Sequence, residues 1–158
     1  MRDSRMLAAA LFSGVGLLIA IQLLPYGRDH AAPPDGTLVA WDSPVTEALA
    51  QRACYDCHSN RTRWPWYASI APLSWRIQTH VERGRRDLNF TAFDTTTSDV
   101  AKAAGEAGET VTKGEMPPND YLLGHPEARL SGAEKRALVA GLNRTFAVFV
   151  KREPGGGQ

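Results

Sequence analysis

The sequence predicts a small all-α protein, in which an apolar N-terminal helix precedes one helical domain. Three observations support this prediction: a long uncharged run near the N-terminus, helix-start signals at Ser43 and Ser131, and the near absence of strand patterns. With 158 residues, 43% of them hydrophobic and 22% charged, the chain has room for one domain plus an appendage and is not typical of a disordered protein.

The N-terminal run extends from Met6 to Leu24 and follows two arginines, Arg2 and Arg5. Its length is close to the roughly 20 residues that a helix needs to cross a bilayer. No small-x-small cleavage site lies close behind Leu24, which favours an uncleaved anchor over a cleaved signal peptide. We predict that residues 1–24 are a membrane anchor or signal sequence with a cytoplasmic N-terminus and an exported body.

Domain boundaries follow from composition. Residues 25–42 are rich in proline and glycine and are predicted to form a linker. Residues 43–150 are predicted to form the folded domain, and residues 151–158 a disordered tail.

Helix signals continue through the domain. Ser43 and Pro44 predict a helix that runs into Cys54. The next helix is predicted over residues 72–84, with Gly84 as its end, and a weaker one over residues 98–114.

The last predicted helix is the clearest. Ser131 and Glu134 form a capping box, and an apolar stripe follows at helical spacing. The stripe consists of Leu138, Leu142, Phe146 and Phe149.

The net charge of +1 argues against nucleic-acid binding. The chemistry is instead concentrated in "CYDCH", which holds both cysteines of the chain. On one helical turn, Cys54, Cys57 and His58 share a face, so that two thiols reach the vinyl groups of a haem and the imidazole reaches its iron. The pattern therefore predicts one covalent c-type haem. A structural disulfide and a redox-active dithiol are the alternatives.

The second axial ligand is predicted in "KGEMPPNDY". Met116 precedes two prolines, which hold it on extended backbone, and a methionine opposite a histidine raises the reduction potential of a haem. Met116 as a core gap-filler is the alternative. His80 and His125 are rival ligands, and His30 is the weakest candidate.

Several blocks of the chain resemble the bacterial haem-binding domain family, a cytochrome c-like group of exported or membrane-anchored proteins. The blocks are CxxCHSN, WPWY, IAPxSW, GRxxLNF, GEMPP and HPxAxLSxxE, spread over residues 43–145. The resemblance implies a small cytochrome c-like helical domain with long loops around one haem. It also implies that Cys54 and Cys57 are thioether anchors, that His58 is the proximal ligand, and that Met116 lies in a methionine loop.

Further haem contacts are implied by the same resemblance. Trp66 and Trp75 are expected to surround the haem or to donate to a propionate. Pro72 resembles the proline whose carbonyl orients the proximal imidazole in class I cytochromes c, and Arg85 is a candidate partner for a propionate.

The predicted function is transfer of single electrons between redox partners, without catalysis, by a periplasm-facing haem domain anchored in the bacterial inner membrane. The alternative is a haem-based sensor or peroxidase-like protein with a displaceable distal ligand. A haem-free thiol-disulfide oxidoreductase is a third hypothesis.

Overall fold

The computed structural model describes residues 2–94 and 96–150, and all regular secondary structure within these ranges is helical. The predicted all-α class is therefore confirmed. The predicted tail, residues 151–158, lies outside the described residues. The helices are α1 (Arg2–Ile21), α2 (Pro44–Ala53), α3 (Tyr55–His58), α4 (Leu73–Asp87), α5 (Ser98–Lys113), α6 (Asn119–Gly124), α7 (Gly132–Thr145) and α8 (Ala147–Val150). Single 3₁₀ turns lie at Trp66–Ser69 and Pro126–Ala128.

Backbone contacts divide the chain into two units. The first comprises residues 1–31 and 64–80, and the second comprises residues 32–63 and 81–158.

Helix α1 belongs to the first unit and is the apolar helix that the sequence predicts. Its segment Asp3–Ile21 has a mean hydropathy of 1.9, so that it is long and apolar enough to cross a membrane. A signal sequence has the same properties. The helix ends at Ile21 rather than at Leu24, and residues 22–24 continue as a turn.

The chain that follows α1 is tied to the rest of the first unit. The side-chain amide of Gln22 donates to the carbonyl of Ala71 at 2.9 Å and accepts from the N–H of Ala71 at 3.0 Å. The hydroxyl of Tyr26 pairs with that of Thr79 at 3.2 Å. Gly27 has φ 78°, and a Cβ there would lie 2.5 Å from the carbonyl oxygen of Ser74. The start of the predicted linker is thus packed structure.

The second unit contains the hydrophobic core, which α2, α5, α7 and α8 enclose. Val39 lies in this core at 7% exposure, and Trp41 packs against it. The N–H of Val39 donates to the carbonyl of Phe90 at 3.0 Å. The end of the predicted linker therefore also supplies a core side chain and a backbone hydrogen bond.

Helix α4 passes through Gly84 and ends at Asp87, so the predicted end at Gly84 is wrong. Glycine ends a helix where it adopts a left-handed conformation, as Gly114 does with φ 76° after α5. Gly84 instead remains helical, and a Cβ there would lie 2.5 Å from the carbonyl oxygen of Cys57.

The capping box of α7 is present as predicted: Ser131 accepts from the N–H of Glu134, and the Glu134 carboxylate accepts from the N–H of Ser131. The same carboxylate accepts from Arg52 of α2. These bonds lower the pKa of Glu134 to about 2. The predicted last helix is divided at Phe146, where α7 ends and the short α8 follows.

The packing of α7 on α2 predicts the effect of one substitution. A Cβ at Gly141 would lie 2.5 Å from Cγ2 and 2.8 Å from Cβ of the buried Thr46. Gly141→Ala should therefore destabilise the domain by about 1–3 kcal/mol, as overpacking does. Urea unfolding measures this change. Gly132→Ala is the matched control, because its Cβ would meet only the Arg136 guanidinium at 3.5 Å; equal midpoints for the two variants would contradict the prediction.

Candidate functional site

A single helical turn carries both cysteines and His58. Helix α2 ends at Cys54, whose φ of −127° departs from the helical value. A new turn starts there, in which the carbonyl of Cys54 accepts from the N–H groups of Cys57 at 3.2 Å and His58 at 2.9 Å. These i+3 and i+4 bonds place the two thiols and the imidazole on one face.

The imidazole of His58 is oriented by a backbone carbonyl. Its Nδ1 lies 2.9 Å from the carbonyl oxygen of Leu88. Because a carbonyl can only accept a hydrogen bond, Nδ1 carries the proton and Nε2 keeps its lone pair. Burial lowers the pKa of His58, which favours this neutral ring. A neutral imidazole with Nδ1 bonded in this way is the form that ligates a metal.

Pro72 does not supply this orienting carbonyl. Nδ1 of His58 is bonded to Leu88, whereas the carbonyl of Pro72 accepts from the N–H of Arg76 at 3.4 Å inside its own unit. In this structure the backbone of Leu88 orients the His58 ring, and the haem contact of Pro72 stays a prediction. Leu88 directly follows α4, whose extension past Gly84 brings its carbonyl to the ring.

Residues 58–60 and 88–91 run side by side and support His58. The N–H of Phe90 donates to the carbonyl of His58 at 2.8 Å, and the N–H of Asn60 donates to the hydroxyl of Thr91 at 2.7 Å. The amide of Asn89 donates to that of Asn60 at 2.8 Å. Asn60 and Thr91 are buried, and these bonds satisfy them. The blocks CxxCHSN and GRxxLNF thus form one structure.

Arg85 also supports the segment after His58. Its Nε donates to the carbonyl of Ser59 at 2.8 Å, and its Nη2 donates to the hydroxyl of Thr62 at 2.9 Å. Burial lowers the pKa of the guanidinium. The structure therefore gives Arg85 protein acceptors, and its pairing with a propionate stays a prediction.

The two cysteines are free thiols, which excludes a disulfide as the arrangement found here. Burial raises the pKa of Cys54 to about 12 and that of Cys57 to about 11. A redox-active dithiol needs a lowered thiol pKa, because the thiolate is the nucleophile. Within residues 2–94 and 96–150 there is also no strand of the kind that a thioredoxin-like site requires.

Gly84 lets α4 approach the cysteine turn closely. A Cβ at this position would lie 2.5 Å from the carbonyl oxygen of Cys57 and 3.0 Å from its Cβ. Only a residue without a side chain allows this packing. The sequence pattern had indicated a helix end at Gly84, and nothing in it pointed to this contact.

Asp56, between the two cysteines, is a further residue that sequence reasoning missed. It is only 5% exposed, and its carboxylate accepts from the backbone and guanidinium of Arg63 and from the hydroxyl of Tyr121. The oxygen–oxygen distance to Tyr121 is 2.7 Å. Burial and the Asp56 carboxylate raise the pKa of Tyr121.

Met116 lies on the segment between α5 and α6 and is 40% exposed. Its N–H donates to the carbonyl of Thr110 at 3.4 Å, and that of Glu115 donates to the same carbonyl at 3.0 Å. Helix α6 begins two residues beyond Pro117 and carries Tyr121. The Met116 segment and the cysteine turn are thus connected through the Tyr121–Asp56 bond.

The rival histidines have other contacts. Nδ1 of His125 lies 3.1 Å from the Glu127 carboxylate, and its ring stacks on Tyr121 with centroids 4.2 Å apart. His30 stacks on Trp64, also at 4.2 Å, and His80 lies on the part of α4 that belongs to the first unit.

Trp66, Pro72 and Trp75 lie in the first unit, whereas the cysteines, His58, Arg85 and Met116 lie in the second. The indole of Trp66 is 81% exposed. The Nε1–H of Trp75 is buried and has no hydrogen-bond acceptor. A buried hydrogen-bond donor without an acceptor costs free energy. Such a donor is expected where its acceptor belongs to a bound ligand and not to the polypeptide.

An all-helical domain with two thiols and a neutral, oriented imidazole on one turn has the donor set of a haem protein. In agreement with this class, the chain matches the family model described as haem-binding domain over residues 16–144. The chain therefore belongs to the haem-binding domain family, which supports haem binding. No curated protein and no solved structure matches it. The oriented imidazole beside two free thiols on one turn shows that the residues present fit a haem.

The contact between α4 and Cys57 yields a prediction. Gly84→Ala should displace the cysteine turn and lower the fraction of purified protein that carries haem by severalfold, measured as haem absorbance per polypeptide. Arg83→Ala, an exposed neighbour on the same helix, is the control and should keep the full haem content. Full haem content in Gly84→Ala would show that this packing is dispensable.

Proposed function

We propose that the protein is a membrane-anchored, periplasm-facing c-type cytochrome that holds one haem covalently and transfers single electrons between redox proteins. The observation that carries this proposal is the turn of residues 54–58, on which two thiols and the Nε2 lone pair of His58 share a face. A thiol oxidoreductase would need a lowered thiol pKa, whereas burial raises the pKa of both cysteines.

Covalent attachment needs no oxidant. Cys54 and Cys57 would hold the haem through thioether bonds: each S–H would add across one vinyl group, the sulfur forming the C–S bond and the thiol proton going to the other vinyl carbon. The raised pKa values of the free thiols fit cysteines that are stored as thiols and not as thiolates. Trp66, Trp75 and Arg85 remain predicted haem contacts.

Met116 is the sixth ligand in this proposal. Its segment is held by the carbonyl of Thr110 on one side and by the Tyr121–Asp56 bond on the other. Asp56 lies inside the turn that carries the proximal ligand, so the same turn holds His58 and restrains the Met116 segment. Of the rival ligands, His125 already pairs with Glu127 and stacks on Tyr121.

Haem supplies an iron that gains and loses one electron. The protein keeps the ligands in place while the charge changes: Leu88 holds the His58 ring, and the buried hydrogen bonds of residues 58–60 with 88–91 hold the backbone around it. A site whose ligands are fixed in this way rearranges little on electron transfer. This favours a carrier over an enzyme.

Retention of α1 as an anchor is supported by the residues that follow it. Gln22, Tyr26 and Gly27 pack on residues 71–79 of their unit, so cleavage beyond them would remove part of the packed structure. The family match also begins at residue 16, inside α1. The arginines before the apolar run support a cytoplasmic N-terminus and a periplasmic haem domain.

The proposed ligands predict a defined spectrum. Protein made with cytochrome c maturation machinery should retain its haem through acid extraction, be low-spin when reduced, show the far-red methionine–iron band when oxidised and not bind carbon monoxide. Met116→Ala should keep the covalent haem, lose the far-red band and bind carbon monoxide.

The control for that substitution is Met6→Ala in the N-terminal helix, which should leave the spectrum unchanged. Wild-type protein that already binds carbon monoxide would favour the sensor or peroxidase-like alternative. A colourless protein despite maturation would refute covalent haem attachment.

The anchor predicts the mass and the location of the mature chain. The full-length protein should stay in the membrane fraction after alkaline carbonate washing, and its intact mass should include residues 1–24 and one haem. Carbonate-soluble protein with a mass that lacks these residues would show that α1 is a cleaved signal sequence.

A further inference from the structure

Asp56 is a buried carboxylate in the cysteine turn, and both of its oxygens accept hydrogen bonds. Its Oδ1 accepts from the backbone N–H of Arg63 at 3.0 Å and from the Nε of Arg63 at 3.2 Å. Its Oδ2 accepts from the Nη2 of Arg63 at 3.3 Å and from the hydroxyl of Tyr121 at 2.7 Å. A buried carboxylate is tolerated only with such partners, because its desolvation is otherwise uncompensated. The Asp56 carboxylate is therefore fixed in position by the turn that contains it and by Arg63.

Tyr121 is the only one of these donors to come from a distant part of the chain, 65 positions away. It lies on α6, which begins directly after the two prolines that follow Met116. The face of its ring stacks on His125 with an interplanar angle of 15°. The ring is thereby fixed, and its hydroxyl is directed at Asp56. A hydrogen bond to an ionised acceptor is about twice as strong as one between neutral groups.

The segment that carries Met116 is short and stiff between two fixed ends. Gly114 ends α5 in the left-handed region, and the N–H of Glu115 returns to the carbonyl of Thr110. Pro117 and Pro118 restrict the backbone that follows Met116. With so few free backbone dihedral angles, the position of α6 decides where the backbone of Met116 lies and therefore the region that its thioether can reach.

We propose that Tyr121 is a positioning residue for the sixth ligand: its hydrogen bond to Asp56 holds α6 against the haem-attachment turn and thereby presents the Met116 thioether to the iron. This inference rests on the proposed His58 and Met116 ligation and extends it to two residues outside the ligand set. Asp56 is the fixed acceptor, and Arg63 compensates its charge.

The test uses the full-length haem protein with Tyr121→Phe, which removes one hydroxyl and keeps the ring and its stacking on His125. The far-red methionine–iron band should weaken, and the rate of carbon monoxide binding to the reduced protein should rise by about tenfold or more, since a hydrogen bond to a charged group is lost. The amount of covalent haem should not change.

Tyr55→Phe is the matched control. Tyr55 lies next to Asp56 in the same turn, and its hydroxyl accepts from the Nε1–H of Trp41 at 3.2 Å, with no bond to α6. Each variant loses one tyrosine hydroxyl bond and should lose thermal stability, Tyr121→Phe more than Tyr55→Phe because its acceptor is ionised. Only Tyr121→Phe should bind carbon monoxide faster than wild type does. Equal carbon monoxide binding in the two variants would overturn the inference, because it would show a general loosening of the turn.

Asp56→Asn provides a second test, which can be carried out even if the Tyr121→Phe variant does not acquire haem. Asparagine keeps an acceptor oxygen for Tyr121 but loses the charge, so carbon monoxide binding should be intermediate between wild type and Tyr121→Phe. Binding as slow as in wild type would overturn the inference.

Failure of the proposed function gives a different result from failure of this inference. If wild-type protein binds carbon monoxide rapidly and lacks the far-red band, Met116 is not the ligand and the proposed function fails together with the inference. If wild-type protein is closed to carbon monoxide and Tyr121→Phe is equally closed, Met116 ligation stands and only the role of Tyr121 is refuted.

Discussion

The bond between Nδ1 of His58 and the carbonyl of Leu88 is the constraint around which the second unit is arranged. Leu88 must reach the ring, so α4 continues past Gly84 to Asp87, and Gly84 must lack a side chain because the helix passes directly over Cys57. The Leu88 side chain is itself 5% exposed and lies in the hydrophobic core. The core therefore fixes the carbonyl, and the carbonyl fixes the imidazole.

The polar residues around this contact are buried, and each is satisfied by another part of the same substructure. Ser59, 0% exposed, donates to the carbonyl of Tyr55, and Asn60 binds the carbonyl of Pro34 as well as Asn89 and Thr91. Breaking one bond in such a network leaves a buried group unpaired, which costs about 1–3 kcal/mol. The network therefore resists local opening and keeps the proximal side of the site rigid.

Local patterns predicted the helices and the cysteine turn because their determinants lie within a few residues. The Ser131 capping box and the spacing of Cys54, Cys57 and His58 are of this kind. Contacts between distant segments were not predictable: the Leu88–His58 bond, the packing of Val39 and the Tyr121–Asp56 bond all depend on tertiary placement. Glycine shows this limit of sequence-based prediction most clearly. Gly114 ends α5, whereas Gly84 lies within α4 and permits its close approach to Cys57.

The two proposed axial ligands, His58 and Met116, differ in how firmly the fold holds them. His58 is held by the core, by α4 and by a buried polar network, whereas Met116 is 40% exposed and belongs to a short segment restrained mainly at its two ends. Local stability in proteins follows the density of such contacts, so the Met116 segment opens at a lower free-energy cost than the turn that carries His58.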